Sequence, residues 1–297
     1  MTGYGKRLLL SWLWLLLGCR HVSAVTDGTQ LPPAHSPLQA TYLIDGRAIA
    51  LHNGRAVLEQ VDGATARTEV WVLGEPVWGD LDDDGVPDVA VLLVVDSGGS
   101  GTFYYLAAAY NRGGAFIGSD ALFLGDRIAP QRLSIRYGLI VVDYAERLTH
   151  EAMTTRPSQG VTKYLVSKGN GLEEIDAARG EGLFFGEVLV SHEVRSFKVC
   201  GGERSAWLLG DSPALPAIKD AFRKTLDDPS ALVPLFMVLT GRLVERPADG
   251  YGADYPSGFY ATRLVLSRPG QPCVHTAPRQ IWPRSTAWRN SPAGTTP

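Results

Sequence analysis

The chain has 297 residues, 45% of them apolar and 20% charged, with a formal net charge of −3. That length and apolar content suffice for a buried core and for two domains of ordinary size. There is no basic excess and no Lys/Arg stripe interleaved with aromatics, which argues against a nucleic-acid partner. At the start of the chain, Lys6-Arg7 precedes a run from Leu8 to Leu17 that is apolar except for Ser11. This is the charged and apolar pattern of an export signal, too short to span a bilayer.

Leu16-Leu17-Gly18-Cys19 follows at once and resembles a bacterial lipobox. The resemblance implies that residues 1–18 are a lipoprotein signal peptide and that Cys19 becomes the acylated first residue of the mature chain, carrying palmitate-type chains into the membrane. Arg20 stands where an Asp would favour inner-membrane retention, which in this class of signals implies the periplasmic face of the outer membrane. The rival is ordinary cleavage after Val22-Ser23-Ala24, giving a soluble periplasmic or secreted protein. Either cut leaves Cys200 and Cys273 as the only thiols, an even number in an oxidising compartment. Paired, they would close a loop of about 70 residues, worth on the order of 4 kcal/mol by chain entropy; unpaired, they would be two buried thiols.

Residues 19–37, with Pro32, Pro33 and Pro37, read as a tether. Next, residues 38–176 form an antiparallel β-rich domain. Asp45-Gly46 and Asn53-Gly54 supply the residues of two tight turns between Ala40–Ile44, Arg47–His52 and Arg55–Glu59, predicting three successive antiparallel strands. Glu69–Leu73 is a further strand, broken by Gly74-Glu75-Pro76. Val89–Val95 is continuously apolar, as a strand buried on both faces should be. Thr102–Tyr110 pairs back on it, and hairpins follow around Tyr137-Gly138 and Lys168–Gly171.

The polar stretch Asp176–Gly182 leads to a small α+β domain over residues 183–275, an OB-like partial barrel with one helix. Phe184–Phe197 reads as one long strand and Ala206–Leu209 as a short one. Ser212 as N-cap, Pro213, and the apolar spacing Leu215, Ile218, Phe222, Leu226 predict the helix. Leu235–Val244 and Phe259–Leu266 complete the strands. Residues 276–297 have no period and read as a disordered tail. The fold class is therefore mainly β with an α+β C-terminal part.

Sharp chemistry gathers in Gly79-Asp80-Leu81-Asp82-Asp83-Asp84-Gly85-Val86-Pro87-Asp88. Asp80, Asp82, Asp84 and Asp88 fall at alternate positions of a turning loop, and with the Val86 carbonyl they offer oxygens for a hard cation such as Ca2+. Asp83 faces away. Val91 occupies the place where an EF-hand carries its bidentate Glu, so the loop is not an EF-hand. It resembles the Asp-x-Asp-x-Asp-Gly-x-x-Asp loop of FG-GAP and related β-rich calcium modules. The competing account is an Asp-rich turn that hydrogen-bonds its own backbone without metal.

Other constellations carry less. Gly98–Gly101 lacks the ending of a phosphate loop. Ser191-His192-Glu193 alternates in direction along a strand and forms no triad. His150-Glu151 with Met153 is at most a weak copper-like cluster. Trp71, Trp78, Phe103, Tyr104, Tyr105 and Tyr110 flank the acidic loop as core, or as a surface for a partner protein or envelope glycan.

The lipobox, the Gly-Asp-Leu-Asp-x-Asp-Gly strand and Thr102-Phe103-Tyr104-Tyr105 together resemble uncharacterised lipoproteins of Gram-negative envelopes. The Phe197-Lys198-Val199-Cys200-Gly201 region is similar to the OB-like domain of the NlpE family of envelope-stress lipoproteins, without the Cys-x-x-Cys that copper sensing would need. The expected function is a non-enzymatic, lipid-anchored envelope protein that binds or scaffolds a partner, with a calcium-stabilised loop and no other cofactor. The alternative is an envelope hydrolase with a catalytic metal in the acidic loop.

Overall fold

The computed structural model describes residues 33–59, 67–226 and 232–273. Cys19, the expected alternative cut after Ala24, the first part of the expected tether and the residues from 274 lie outside the described residues. From Ala34 on, the chain already belongs to the folded body: Ala34 exchanges both backbone hydrogen bonds with Phe116, and Pro37 is buried. No helix among the described residues is long and apolar enough to cross a membrane.

Strands β1 (Thr41–Ile44) and β2 (Arg47–Ala50) form the first hairpin. At its turn Asp45 and Gly46 both have positive φ, 48° and 77°, as a two-residue turn matched to strand twist requires. Asn53 and Gly54 repeat that conformation, yet only His52 pairs with Arg55 across the turn. The third strand, β3 (Arg55–Glu59), leaves for another sheet, because Leu51 and Gly54 donate instead to the carbonyls of Ala40 and Leu38.

That sheet runs β3-β4-β5-β6-β7, with β4 (Arg67–Gly79), β5 (Asp88–Asp96), β6 (Thr102–Arg112) and β7 (Ala115–Gly118); β8 (Leu122–Asp126) also pairs with β6. The break expected at Gly74-Glu75-Pro76 is a bulge: β4 continues through it while its register on β5 shifts between Leu73 and Val77. Strands β7 and β8 carry no sequence signal recognised above.

The unbroken apolar run of β5 has a direct cause. Val89, Val91 and Leu93 pack on one face against Tyr42, Ile44, Ile49 and Leu51 of the first hairpin. Ala90 and Leu92 pack on the other against Ile140, Val142 and Leu165. The second set belongs to a four-stranded meander, ordered β12-β11-β10-β9, of β9 (Ala129–Arg136), β10 (Leu139–Glu146), β11 (Gln159–Lys168) and β12 (Gly171–Glu174). Sandwiched between two layers, β5 has no solvent face on which a polar alternation could be kept.

The C-terminal part is a closed five-stranded barrel, β13-β14-β15-β17-β16. It comprises β13 (Gly182–Val190), β14 (Arg195–Val199), β15 (Ala206–Leu208), helix α1 (Leu215–Thr225), β16 (Leu235–Val244) and β17 (Gly258–Arg268). Strands β15 and β17 are parallel, β13 and β16 close the barrel, and the helix sits between the third and fourth strands; this is the OB topology. Phe184, Phe197 and Phe259 interlock at its centre with ring centroids 4.5–6.4 Å apart, under Ile218 and Phe222 of the helix.

Two local expectations are corrected here. Phe184–Phe197 is not one strand: β13 folds back into β14 at Ser191–Val194, where the Ser191 hydroxyl accepts from the Val194 N–H at 3.2 Å. Ser212 is not the helix N-cap; Ala214 occupies that place, and the Ser212 hydroxyl accepts instead from the Ala261 N–H of β17. A disulfide joins Cys200 to Cys273, with Cα atoms 5.2 Å apart, tying the end of β14 to the chain just beyond β17.

The meander and the barrel share a core. Leu139, Val166 and Ile175 pack with Leu183, Phe185, Phe236 and Val238. Tyr137, at the tip of the β9–β10 hairpin, lays its ring 4.8 Å from Phe236 and 5.7 Å from Phe185.

Candidate metal centre

The acidic loop joins β4 to β5 and is wound by its own carboxylates. Asp80 accepts from the N–H groups of Asp83 at 2.7 Å and Gly85 at 3.2 Å, and Asp84 accepts from Val86 at 2.8 Å. Asp88 closes the loop from its far end. It is fully buried, and its two oxygens accept from the Leu81 and Asn111 N–H groups, both at 2.9 Å. The self-bonded turn is therefore present.

One oxygen each from Asp80, Asp82 and Asp88 lies within 4.8 Å of the others, the one group of three or more His, Cys, Asp or Glu side chains so placed among the described residues. Asp82 Oδ1 is buried without a hydrogen-bond partner. An all-oxygen set with an orphaned carboxylate atom fits a hard cation. Asp84 lies outside this group and pairs with Arg112 at 3.0 Å; Val86 lies on the exposed side of the loop.

Burial raises the Asp88 carboxyl above its ordinary range; its two backbone hydrogen bonds oppose this, and the charges of Asp82 and Asp84 push the same way as burial. A cation among these groups would relieve the repulsion.

Two arginines answer the charge of the loop. Arg112, at the end of β6, pairs with Asp82 as well as Asp84, and hydrogen bonding to Asp82 raises its pKa. Arg268, at the end of β17, pairs with Asp83, lies 3.4 Å from the Asp80 carboxylate and donates to the Asp80 carbonyl at 3.1 Å, while its side chain is only 9% exposed. Asp83, expected to face away, does lie outside the converging group, but together with Asp80 it attaches the loop to the barrel through Arg268. Arg112 was legible in principle: with Val89 opposite Ala109, the β5–β6 register carries residue 112 past the start of β5 and beside the loop. Arg268 was not, since no local pattern joins positions 185 residues apart.

Cavities lie on either side of Arg268. One of about 220 Å³ is lined by Leu81, Asp82, Ser167, Ser267 and Arg268, and Ser267 Oγ is a second buried oxygen without a partner. The other, about 380 Å³, is bounded by Asp83, Ile135, Tyr137 and Pro272. Between them Gly138 (φ 81°) passes so close that an added Cβ would stand 2.2 Å from a terminal nitrogen of Arg268. Gly138→Ala combines a left-handed backbone with this clash, and we expect it to lower stability by about 2 kcal/mol in denaturant titration. A loss below ~0.5 kcal/mol would show that Arg268 yields freely.

The remaining candidates stay apart. Ser191, His192 and Glu193 lie in the turn between β13 and β14. Glu151 accepts from the Leu148 N–H, in an exposed segment that also carries His150 and Met153. The aromatics do not share one surface. Trp78 stands 55% exposed beside the loop, edge-on to Phe116, whereas Tyr110 is buried and bonds to Ser167 and Gly171. Phe103 packs with Phe123 at the other end of β6, ~25 Å away along the strand. No protein-family model, no curated protein and no solved structure matches this chain.

Proposed function

We propose that this protein is a non-enzymatic, lipid-anchored component of a bacterial envelope, held to the membrane through Cys19 on the periplasmic face of the outer membrane. Its sheet-rich body binds or scaffolds a protein or glycan partner, and Ca2+ stabilises the Asp80–Asp88 loop. The carrying observation is the convergence of Asp80, Asp82 and Asp88, together with a buried oxygen of Asp82 that has no hydrogen-bond partner. The loop lies where sheet, meander and barrel meet, so a cation there braces a joint. Asp88 has both oxygens already engaged by backbone N–H groups, which suits fixed coordination better than exchange with a substrate. The disulfide accords with an oxidising compartment.

Full-length protein in detergent, titrated with CaCl2, should melt roughly 5–10 °C higher at a hundredfold excess over the dissociation constant. Asp82→Ala should abolish the shift. No shift at millimolar calcium would remove the cation from this reading. The alternative, a metal-dependent envelope hydrolase, predicts turnover of peptidoglycan or ester substrates that Asp82→Ala removes while stability stays unchanged. For the anchor, incorporation of a labelled fatty acid should be lost in Cys19→Ala; equal labelling of both proteins would exclude acylation at this residue.

A further inference from the structure

The two arginines on the acidic loop differ in a way that bears on how the loop would bind its cation. Arg268 is almost wholly buried; it pairs with Asp83, which lies outside the converging carboxylate group, donates to the Asp80 carbonyl, and stands 3.4 Å from one carboxylate oxygen of Asp80, which belongs to the group. Arg112 is 46% exposed and bridges Asp82, a member of that group, to Asp84, the further carboxylate that the loop pattern assigns as a ligand. A guanidinium fork across two carboxylates does part of what a divalent ion would do there: it neutralises them and holds them together. It sits on the loop's open side, at the end of a strand.

We infer that Arg112 is a tethered competitor for the cation, which sets how tightly the loop binds Ca2+ and is released when Ca2+ binds. This rests on the cation reading of the loop. An ion pair as exposed as Arg112–Asp84 contributes little by itself, so an ion contacting several carboxylates displaces it. The cost that persists is electrostatic, because a fixed positive charge beside the ligands weakens binding of a second cation. The released guanidinium has a place to rest: the Tyr110 ring, whose centroid is already 5.5 Å from it. Arg268 stays in place throughout, since it is buried and held by Asp83 and the Asp80 carbonyl, neither of which the cation takes; only its longer contact with the Asp80 carboxylate, at 3.4 Å, is shared with the group. Calcium therefore exchanges one clasp of the loop, the one facing solvent, and leaves the clasp to the barrel intact.

The test is calcium titration of the full-length protein by calorimetry. Arg112→Gln should bind Ca2+ at least ~10-fold more tightly than the wild type. Arg112→Lys, a point charge that cannot fork across both carboxylates, should bind about 3-fold more tightly. Arg132→Gln, which removes the same charge from an exposed pair with Asp143 on the meander, should leave the affinity unchanged. In the wild type, the Arg112 side-chain Nε resonance should move on calcium addition while that of Arg268 stays. Arg112→Gln binding no more tightly than wild type overturns the inference and leaves the cation reading standing. Binding by neither folded protein overturns both. Should the Gln variant not fold, an Arg112→Lys affinity equal to wild type is the overturning result.

Discussion

Asp88→Ala should lower the stability of the protein by about 3 kcal/mol, and its melting temperature by roughly 6–12 °C, with no metal in the buffer. The reason is not lost charge. Asp88 is fully buried and is the hydrogen-bond acceptor for two backbone N–H groups, those of Leu81 and Asn111. Truncation leaves one buried donor, Leu81 N–H, and one half-buried donor, Asn111 N–H, without partners, at ~1–3 kcal/mol each when fully buried. Ionised Asp88 carries a desolvation cost that truncation removes, and this keeps the expected loss near the lower half of the summed range. Asp88→Asn should fall between, because its amide can accept from one of the two N–H groups but presents a donor to the other. Asp84→Asn is the contrast: its carboxylate faces outward to Arg112, and the expected change is below ~0.5 kcal/mol. Urea titrations of the three variants without calcium measure these differences directly. Equal effects at positions 84 and 88 would mean that the loop closes some other way.

Reducing the Cys200–Cys273 bridge should cost on the order of 4 kcal/mol, the largest effect expected of any single covalent change in the described body. The bridge spans 73 positions, and the chain-entropy account makes that length, rather than contacts at the sulfurs, the source of the effect. There is a local consequence too. Cys273 lies five residues past Arg268, so opening the bridge frees the end of the segment that carries the arginine to Asp83. Thermal melts should place the dithiol-reduced protein below the oxidised one and in agreement, within error, with the Cys200→Ala/Cys273→Ala double variant. Cys200 is buried, so reduction should be slow until the barrel opens. A reduced protein that melts with the oxidised one would show that the cross-link closes a loop the unfolded chain already keeps closed.

Much of the architecture could be read without coordinates because its signals are local. Asp45-Gly46 and Tyr137-Gly138 mark hairpins since few residue pairs adopt two consecutive positive φ values, and both pairs do so. The apolar run of β5 announced burial on two faces, and the layers on either side of it supply that burial. The spacing Leu215, Ile218, Phe222 placed the helix on its apolar face, and all three are buried. Where a local rule misled, a distant partner had taken the group concerned. Ser212 would have capped the helix had Ala261 not claimed its hydroxyl, and Gly74-Glu75-Pro76 would have ended β4 had β5 not paired on both sides of the bulge.

The sequence by itself determined that a row of aspartates would turn tightly in front of the most apolar strand, because side-chain spacing along a loop and hydrophobic continuity along a strand are properties of neighbours. Only the tertiary structure decided which aspartates converge, which of them hold the barrel, and that Arg112 and Arg268 balance them from opposite sides. Coulomb interaction acts through space and ignores chain separation, so a charge brought in by the last strand of the barrel leaves no trace in the residues around position 83.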